Sequence, residues 1–538
     1  MSESLLQPRM LINGDLVYAS DGKTFPLYNP ATRRKVADAP EATLDDTNAA
    51  VAAAKAAFPA WPNLSPAQRG SYLKKSAALI RENDAELARL EAISMGRPVS
   101  EYIEGHLAAD HYDHYAEAWA SVQGQASLHT PGHLTMTLRQ PYGVVAAIIP
   151  WNVPLFFFAG KTAPALITGN TVVVKTSEKA PLAAARVAEL INQAGFPAGV
   201  FNVLCGHGAQ SGATLAAHLD VRVLSFTGSG RTGRLIQEVA AKTNLKKVIL
   251  ELGGKSPALV FADSDLDKAA KDTAHSIQWN SGQVCMANSR VYVQKEIAGA
   301  FIEAFKRHLL AIKPGDPTSS DVNHGPQADE VQYKSILVKK GKSSGELVLG
   351  GKGNLESTNG YFVEPTVFLQ TAEGARIMKE EVFGPVVTLA PFIPNSHSRH
   401  IFTLNILRID SHRDTFNLPR NSLGQDPIRA LSGTLQSQQA RLVVDLLYLQ
   451  LHEPATCGLY WEQLLQIIYE CCDLLYQLVE IPVVVQRPHR LLQQTGLLLP
   501  LARDEPKSAV QSLNHWLHVV VVEAHPIILA CIDFVPLR

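Results

Sequence analysis

The sequence predicts an α/β protein with two successive α/β units, ending in a segment of different character. Three observations carry that expectation. Between Val144 and Leu250, apolar runs of strand length alternate with helix-length segments, the order of an open, largely parallel sheet. A glycine-rich turn, Gly228-Ser229-Gly230-Arg231-Thr232-Gly233, stands after one such strand and before a helix. The alternation then resumes from Ala258 to Leu369.

Taken in order, residues 8–35 read as short strands and turns, with Asn13-Gly14-Asp15 as hairpin chemistry. Thr43 caps a helix over Leu44–Phe58 whose middle is nearly all alanine. Ser65-Pro66 opens a second helix, with proline where a missing N–H costs least, and Asp84–Met95 is a third. Within Ser127–Arg139 the clearest strand is Leu134–Leu138. The parallel-sheet strands are Val144–Ile149, Thr171–Lys175, Val200–Leu204, Val221–Phe226 and Lys247–Leu250, with helices at Pro181–Ala194 and Arg231–Lys242. The second unit reads as strand Ala258–Phe261, helix Leu266–Trp279, strand Arg290–Val293 and helix Ile297–Leu310. Strands Glu346–Leu349 and Phe362–Leu369 follow.

Bulk composition excludes several classes. The 538 residues are 46% hydrophobic and 18% charged with net charge −1, so no basic excess marks a nucleic-acid or anionic-membrane surface. Six cysteines form neither a disulfide framework nor paired metal-ligand spacing, and the start of the chain shows no signal pattern. These features point to a reducing, cytoplasmic compartment. His111 and His114 share a helical face, but no third ligand accompanies them and no metal is expected.

Sheets of this kind bind ligands at the carboxyl ends of their strands, where Asn152, Lys175 and Gly228 fall. The Gly228–Gly233 run fits the Rossmann fingerprint, whose glycines let a pyrophosphate reach a helix N-terminus. Beyond it, Glu251-Leu252-Gly253-Gly254-Lys255 and Gly282-Gln283-Val284-Cys285 place an acid and a thiol at the two ends of one stretch. Alone, that pair is more often a solvated acid and a small buried hydrophobe.

Together these motifs resemble the aldehyde dehydrogenase superfamily over roughly residues 8–393. Ile149-Pro150-Trp151-Asn152, Lys175-x-x-Glu178, Phe226-Thr227-Gly228-Ser229, Glu251-Leu252-Gly253-Gly254-Lys255, Gly282-Gln283-x-Cys285 and Glu380-Glu381-Val382-Phe383-Gly384-Pro385 occur in the family's order. The resemblance implies a Rossmann-type NAD-binding domain (1–122 and 142–252), a protruding oligomerisation hairpin (123–141) and an α/β catalytic domain (253–393). It implies NAD-dependent oxidation of an aldehyde to a carboxylic acid through a thiohemiacetal and a thioester on Cys285. Glu251 would be the base, Asn152 an oxyanion donor, and Lys161 a lysine beside the asparagine. Ile149, Pro150, Trp151, Lys175, Glu178, Gly228, Ser229, Leu252, Glu381 and Phe383 would hold the cofactor. Under this resemblance Lys175 and Glu178, not Glu251, clamp the adenosine ribose, and a glutamate there repels a 2′-phosphate, favouring NAD over NADP. Read alone, that pair is a solvated strand end. Phe156, Phe157 and Trp279 are candidates for an apolar substrate tunnel or for core packing.

After Ile393 the resemblance stops. Lys507 is the sole lysine of the remainder, and four of the 36 glycines lie there. The family's A-N-x-x-x-Y-G-L, W-V-N and P-F-G-G segments are absent, as is the strand that the hairpin pairs with in a partner subunit. Residues 394–538 therefore form an unmatched tail, whose change of character suggests a coding frame lost near residue 394. Cys471-Cys472 within it reads as incidental, and Val519–Val522 is too short to span a membrane. The expected partners are a small aldehyde and, from the family, a second or further copies of the chain as a homodimer or homotetramer, a state that the missing strand opposes. The alternative readings are an inactive or misfolded truncated relative and an esterase using the same thiol.

Overall fold

Strands covered on both faces must be largely apolar, and Val144–Ile148 and Thr171–Lys175 are buried at every residue. The structure, a computed structural model, describes residues 6–393 except 130, 342–344 and 354–357. The tail, with Lys507, Cys471-Cys472 and Val519–Val522, lies outside the described residues, as does Thr130 of the hairpin.

Strands β1 (Met10–Ile12) and β2 (Asp15–Val17) turn through Asn13 and Gly14, both at positive φ (54° and 87°), as a two-residue hairpin requires. Strands β3 (Thr24–Tyr28) and β4 (Lys35–Pro40) form a separate pair. Helix α1 (Leu44–Ala57) begins with a capping box: Thr43 Oγ1 accepts from Asp46 N at 3.0 Å, and Asp46 Oδ2 accepts from Thr43 N at 2.9 Å. Ser65 and Gln68 make the same box for α2 (Pro66–Glu82). Helices α3 (Asp84–Met95) and α4 (Glu104–Ala118) follow. Strands β5 (Ala126–Ser127) and β6 (Thr135–Met136) keep two residues of the expected Leu134–Leu138 run, because solvent surrounds them and no further strand joins them.

The alternating region gives β7 (Val144–Ile148), α5 (Pro154–Ile167), β8 (Thr171–Lys175), α6 (Pro181–Ala194) and β9 (Phe201–Leu204). It continues with α7 (Ala213–Ala217), β10 (Val221–Gly228), α8 (Gly230–Lys242) and β11 (Lys247–Leu252). The sheet order is β11-β10-β7-β8-β9-β1-β2, with the first five strands parallel and β1 antiparallel to β9. Strand period two divides its two cores: Val145 and Ala147 pack with α5 and α6, while Val144, Ala146 and Ile148 pack with α1. The chain runs outward from β7 to β8 on one side, and β10 lies on the other. The crevice beyond Ile148 and Gly228 is therefore a topological switch point.

A second sheet, β12-β13-β16-β15-β14, is built from β12 (Pro257–Val260), β13 (Arg290–Gln294), β14 (Glu346–Leu349), β15 (Thr366–Leu369) and β16 (Val386–Phe392). Helices α9 (Leu266–Gln278) and α10 (Ala298–Leu310) cover it, and α11 (Glu330–Gly341) packs Tyr333 and Ile336 into a neighbouring core. The strand expected from Phe362 starts only at Thr366, since Pro365 has no N–H for a ladder. The strand expected to stop at Leu250 runs on to Leu252, which sets Glu251 opposite Thr227 and Leu252 opposite Gly228.

Removing the α1 cap tests the local reading. Thr43→Ala should lower unfolding free energy by about 1 kcal/mol, read as a lower urea midpoint at unchanged slope.

Candidate active site

At the switch point the main chain turns away from β7 through Ile149, Pro150, Trp151 and Asn152. Ile149 N donates to Lys175 O at 3.1 Å, which ties this turn to the end of β8. Across the crevice β10 ends at Gly228, and Ser229 caps α8 by accepting from Thr232 N at 3.3 Å. A Cβ on Gly233 would come within 2.9 Å of Leu252 Cδ2, so glycine allows α8 to lie close against β11. The N–H groups at the very start of α8, ahead of the capped Thr232, have no partner within the helix and follow directly on the end of β10. Thr227 Oγ1 is buried near the end of β10 without a partner, and Thr176 Oγ1, buried just past the end of β8, meets the Cys205 thiol. Lys175, 3% exposed along its side chain, places Nζ 3.3 Å from Glu178 Oε2. Burial would raise the Glu178 carboxyl, but Lys175 outweighs it and holds Glu178 below its ordinary value. A glycine-lined helix start and a buried unpartnered hydroxyl beside a fixed carboxylate supply the donors and the acceptor that a dinucleotide needs.

The thiol lies on a turn of unusual backbone. Asn280, Ser281 and Gly282 are all left-handed (φ 52°, 53° and 74°). A Cβ on Gly282 would fall inside the main chain of Gly384 and Pro385, so that turn is pressed against the loop carrying Glu381 and Phe383. Gly254 lies against Cys285 (a Cβ would sit 3.1 Å from Cys285 O), and Gly254 N donates to Glu381 Oε1 at 3.2 Å. Phe383, itself at φ 60°, meets Trp151 edge-on with centroids 5.3 Å apart, and Lys179 Nζ stands 5.2 Å over the same indole.

Of the two cysteines among the described residues, Cys205 is fully buried and burial pushes its thiol up to about 12, while Cys285 is half-exposed. The Cys285 thiol is also raised, by burial first and then by the charges of Glu251 and Glu381. Asn152 is buried and donates one side-chain N–H to Gln283 O at 2.9 Å, leaving the other available. Lys161 projects from α5 to donate to Ser225 Oγ at 2.9 Å. Burial pulls its ammonium down to about 8, against the opposing pull of Glu251. Glu251 is thus within electrostatic reach of both the thiol and the amine.

This convergence can be compared with known proteins. Residues 17–398 match the model of the aldehyde dehydrogenase family. The chain belongs to that family. It is 42% identical over 389 residues to an aldehyde dehydrogenase from Alternaria alternata, a match covering 71% of this chain and 78% of the relative. The aldehyde dehydrogenase KauB from Pseudomonas aeruginosa is 40% identical at a TM-score of 0.71, covering 73% of this chain and 81% of that one. A mutant of the P. syringae indole-3-acetaldehyde dehydrogenase AldA, in complex with NAD+ and IAA, is 38% identical at a TM-score of 0.71, covering 74% and 82%.

Of the residues that the resemblance singled out, Asn152 meets Gln283, Glu251 acts electrostatically on Lys161 and Cys285, Glu381 meets Gly254, Trp151 meets Phe383 and Lys175 meets Glu178. Phe156 and Phe157 are half-buried and edge-on to each other at 5.2 Å. Trp279 instead stacks over Arg97 at 5.0 Å, behind the thiol turn. His111 packs on Phe156 at 4.8 Å, which accounts for its place on α4 without a ligand role. Sequence reading missed Ser225, the partner of Lys161. It also missed Arg97, Glu104, Asn280 and the Gln283 carbonyl around Asn152. Charged residues are ordinarily solvated, and no spacing in the sequence signals a buried ion pair.

The depressed Lys161 gives a signed pH test. Folding holds this amine near 8 against an ordinary 10.5. The unfolded chain then binds the extra proton between those values, and wild-type stability rises with pH across that window. Lys161→Met should raise stability by about 1–3 kcal/mol at pH 7, with the gain shrinking from pH 8 to 10.5 in thermal unfolding.

Proposed function

We propose that this chain oxidises an aldehyde to a carboxylic acid with NAD, using Cys285 as nucleophile, Glu251 as base and Asn152 with Lys161 around the oxygen. The observation that carries the reading is the meeting of Asn152, Lys161, Glu251 and Cys285 at the switch-point crevice of a sheet whose glycine-capped helix fits a dinucleotide.

The Cys285 sulfur adds to the aldehyde carbon, and its proton must leave first, because burial and two nearby carboxylates favour the neutral thiol. Glu251 is the base placed to accept it. The carbonyl oxygen becomes an oxyanion, stabilised by the free N–H of Asn152 and the Cys285 backbone N–H. A bound NAD supplies the electron acceptor that turns the thiohemiacetal on Cys285 into a thioester. After passing the thiol's proton to solvent, Glu251 takes a proton from water, whose oxygen attacks the thioester carbon. The C–S bond breaks, and the acid departs with Cys285 regenerated. Lys161, near pH-neutral titration, adjoins this step and can hold or release a proton beside Glu251.

Finer assignments belong to the same reading. Lys175 and Glu178 clamp the adenosine ribose, Trp151 and Phe383 frame the nicotinamide end, and Glu381 serves its ribose. The hairpin exposes Leu128 and Leu138 (78% and 74%), which supports a homo-oligomer. No helix among the described residues is long and apolar enough to cross a membrane. Six cysteines in 538 residues, without a disulfide-framework spacing, support a cytoplasmic assignment.

Two measurements test this. Cys285→Ala should lower aldehyde-dependent NADH formation about 10³-fold or more, whereas Glu251→Gln should slow the first equivalent of NADH and then stall at the thioester. Full activity in Cys285→Ala would sink the nucleophile assignment. Glu178→Gln should narrow the NAD-over-NADP preference about tenfold, measured as the ratio of kcat/KM values.

A further inference from the structure

Beneath the crevice lies a charge cluster that the reaction scheme does not use. Arg97, Glu91 and Glu104 have side chains 0–1% exposed. Arg97 pairs closely with Glu104 through Nη1, and the same nitrogen is 3.6 Å from Glu91 Oε2. Its Nη2 donates to the main-chain oxygen of Asn152, and Nε points at Asn280 Oδ1 at 3.5 Å. Asn280 Nδ2 donates to that same Asn152 oxygen at 2.9 Å. The second oxygen of Glu104 accepts from Leu155 N at 2.8 Å and Phe156 N at 3.1 Å.

Those two N–H groups are the orphan donors at the start of α5, whose N-cap Val153 offers no side-chain bond. A carboxylate there is favoured by the hydrogen bonds and by the helix dipole together. Arg97 therefore holds Asn152 by its carbonyl, Glu104 holds the chain three residues further on, and the two holders are bonded to each other. A side-chain amide anchored at both ends of its segment has one orientation, the one aimed past Gln283 O toward the thiol.

We propose that Arg97 and Glu104 are the positioning residues of the oxyanion donor Asn152, while Glu91 is present as a neutral acid. This rests on the reading of Asn152 given above. One guanidinium cannot balance two buried carboxylates. Glu91, packed against Glu104, is the one raised well above the ordinary range, by burial and then by the charge of Glu104 against that of Arg97. The cluster is then neutral overall, with Arg97 and Glu104 as its charged pair. The planar fork of arginine is needed because four oxygens surround it, from Glu104, Glu91, Asn152 and Asn280, which the single ammonium of lysine cannot serve together.

The test compares isosteric variants of the full chain. Glu91→Gln mimics a protonated acid and should keep wild-type kcat and KM. Glu104→Gln and Arg97→Lys should each lower kcat about 10²-fold, the cost of a misplaced oxyanion donor, with KM and the rate of Cys285 alkylation by iodoacetamide unchanged. In Glu104→Gln, amide exchange at Leu155 and Phe156 should accelerate while exchange in β8 and β9 does not. Glu91→Gln as damaging as Glu104→Gln would overturn the charge assignment. Wild-type kcat in Glu104→Gln, or equal acceleration of exchange throughout the sheet, would overturn the positioning role. Should Glu104→Gln not fold, Arg97→Lys reads the same kcat loss. A wild type without aldehyde oxidation would instead overturn the proposed function, and the exchange comparison would still decide whether Glu104 alone anchors the segment.

Discussion

Three stretches of main chain touch at the candidate active site, and the rest depends on there being no side chain between them. Gly282 abuts Gly384 and Pro385, Gly253 abuts the Glu381 carboxylate, and Gly254 lies against Cys285. Each glycine belongs to a different sequence motif from the group it touches. The motifs are short and rigid in wording because they describe contact surfaces as much as reactive groups. Any Cβ at Gly282 would have to displace backbone, which a close-packed interior resists.

The charges are arranged around this contact in two layers. In the crevice, Glu251 acts on a thiol and an amine at once, raising the first and partly restoring the second. The amine is thereby brought close to neutrality, while the thiol is held protonated and needs a base, which suits a cycle in which a proton leaves sulfur and another leaves water. Behind the crevice, Arg97 and its carboxylates are cut off from water and serve as fixed geometry. Burial thus has opposite uses a few residues apart: it makes Lys161 adjustable and Arg97 immovable.

Much of the first sheet was legible because strands covered on both faces leave uninterrupted apolar runs, as in Val144–Ile148 and Thr171–Lys175. The capping boxes at Thr43 and Ser65 were legible because their chemistry is local. Boundaries failed where a ladder partner, not composition, decides the end. Strand β11 continues through Glu251 because β10 continues beside it, and β15 starts late because of Pro365. Leu134–Leu138 alternates as a strand should, yet with one short partner it keeps two paired residues. At the site, the reactive residues came from motif wording. Arg97, Glu104 and Ser225 stayed hidden because their roles arise from contacts across 55, 51 and 64 residues of chain.

The separation along the chain also sets an order of events during synthesis. All strands of the first sheet, together with Glu91, Arg97, Glu104 and the turn at Asn152, precede residue 253. The oxyanion donor can therefore be seated before the nucleophile exists. Gln283, which meets Asn152, emerges 131 residues later, a lag on the order of ten seconds on a ribosome. The Gly282 turn then still waits for Gly384 before it can close. A nascent chain accordingly carries its thiol on an open loop for a time, able to react with passing electrophiles and unable to turn over a substrate.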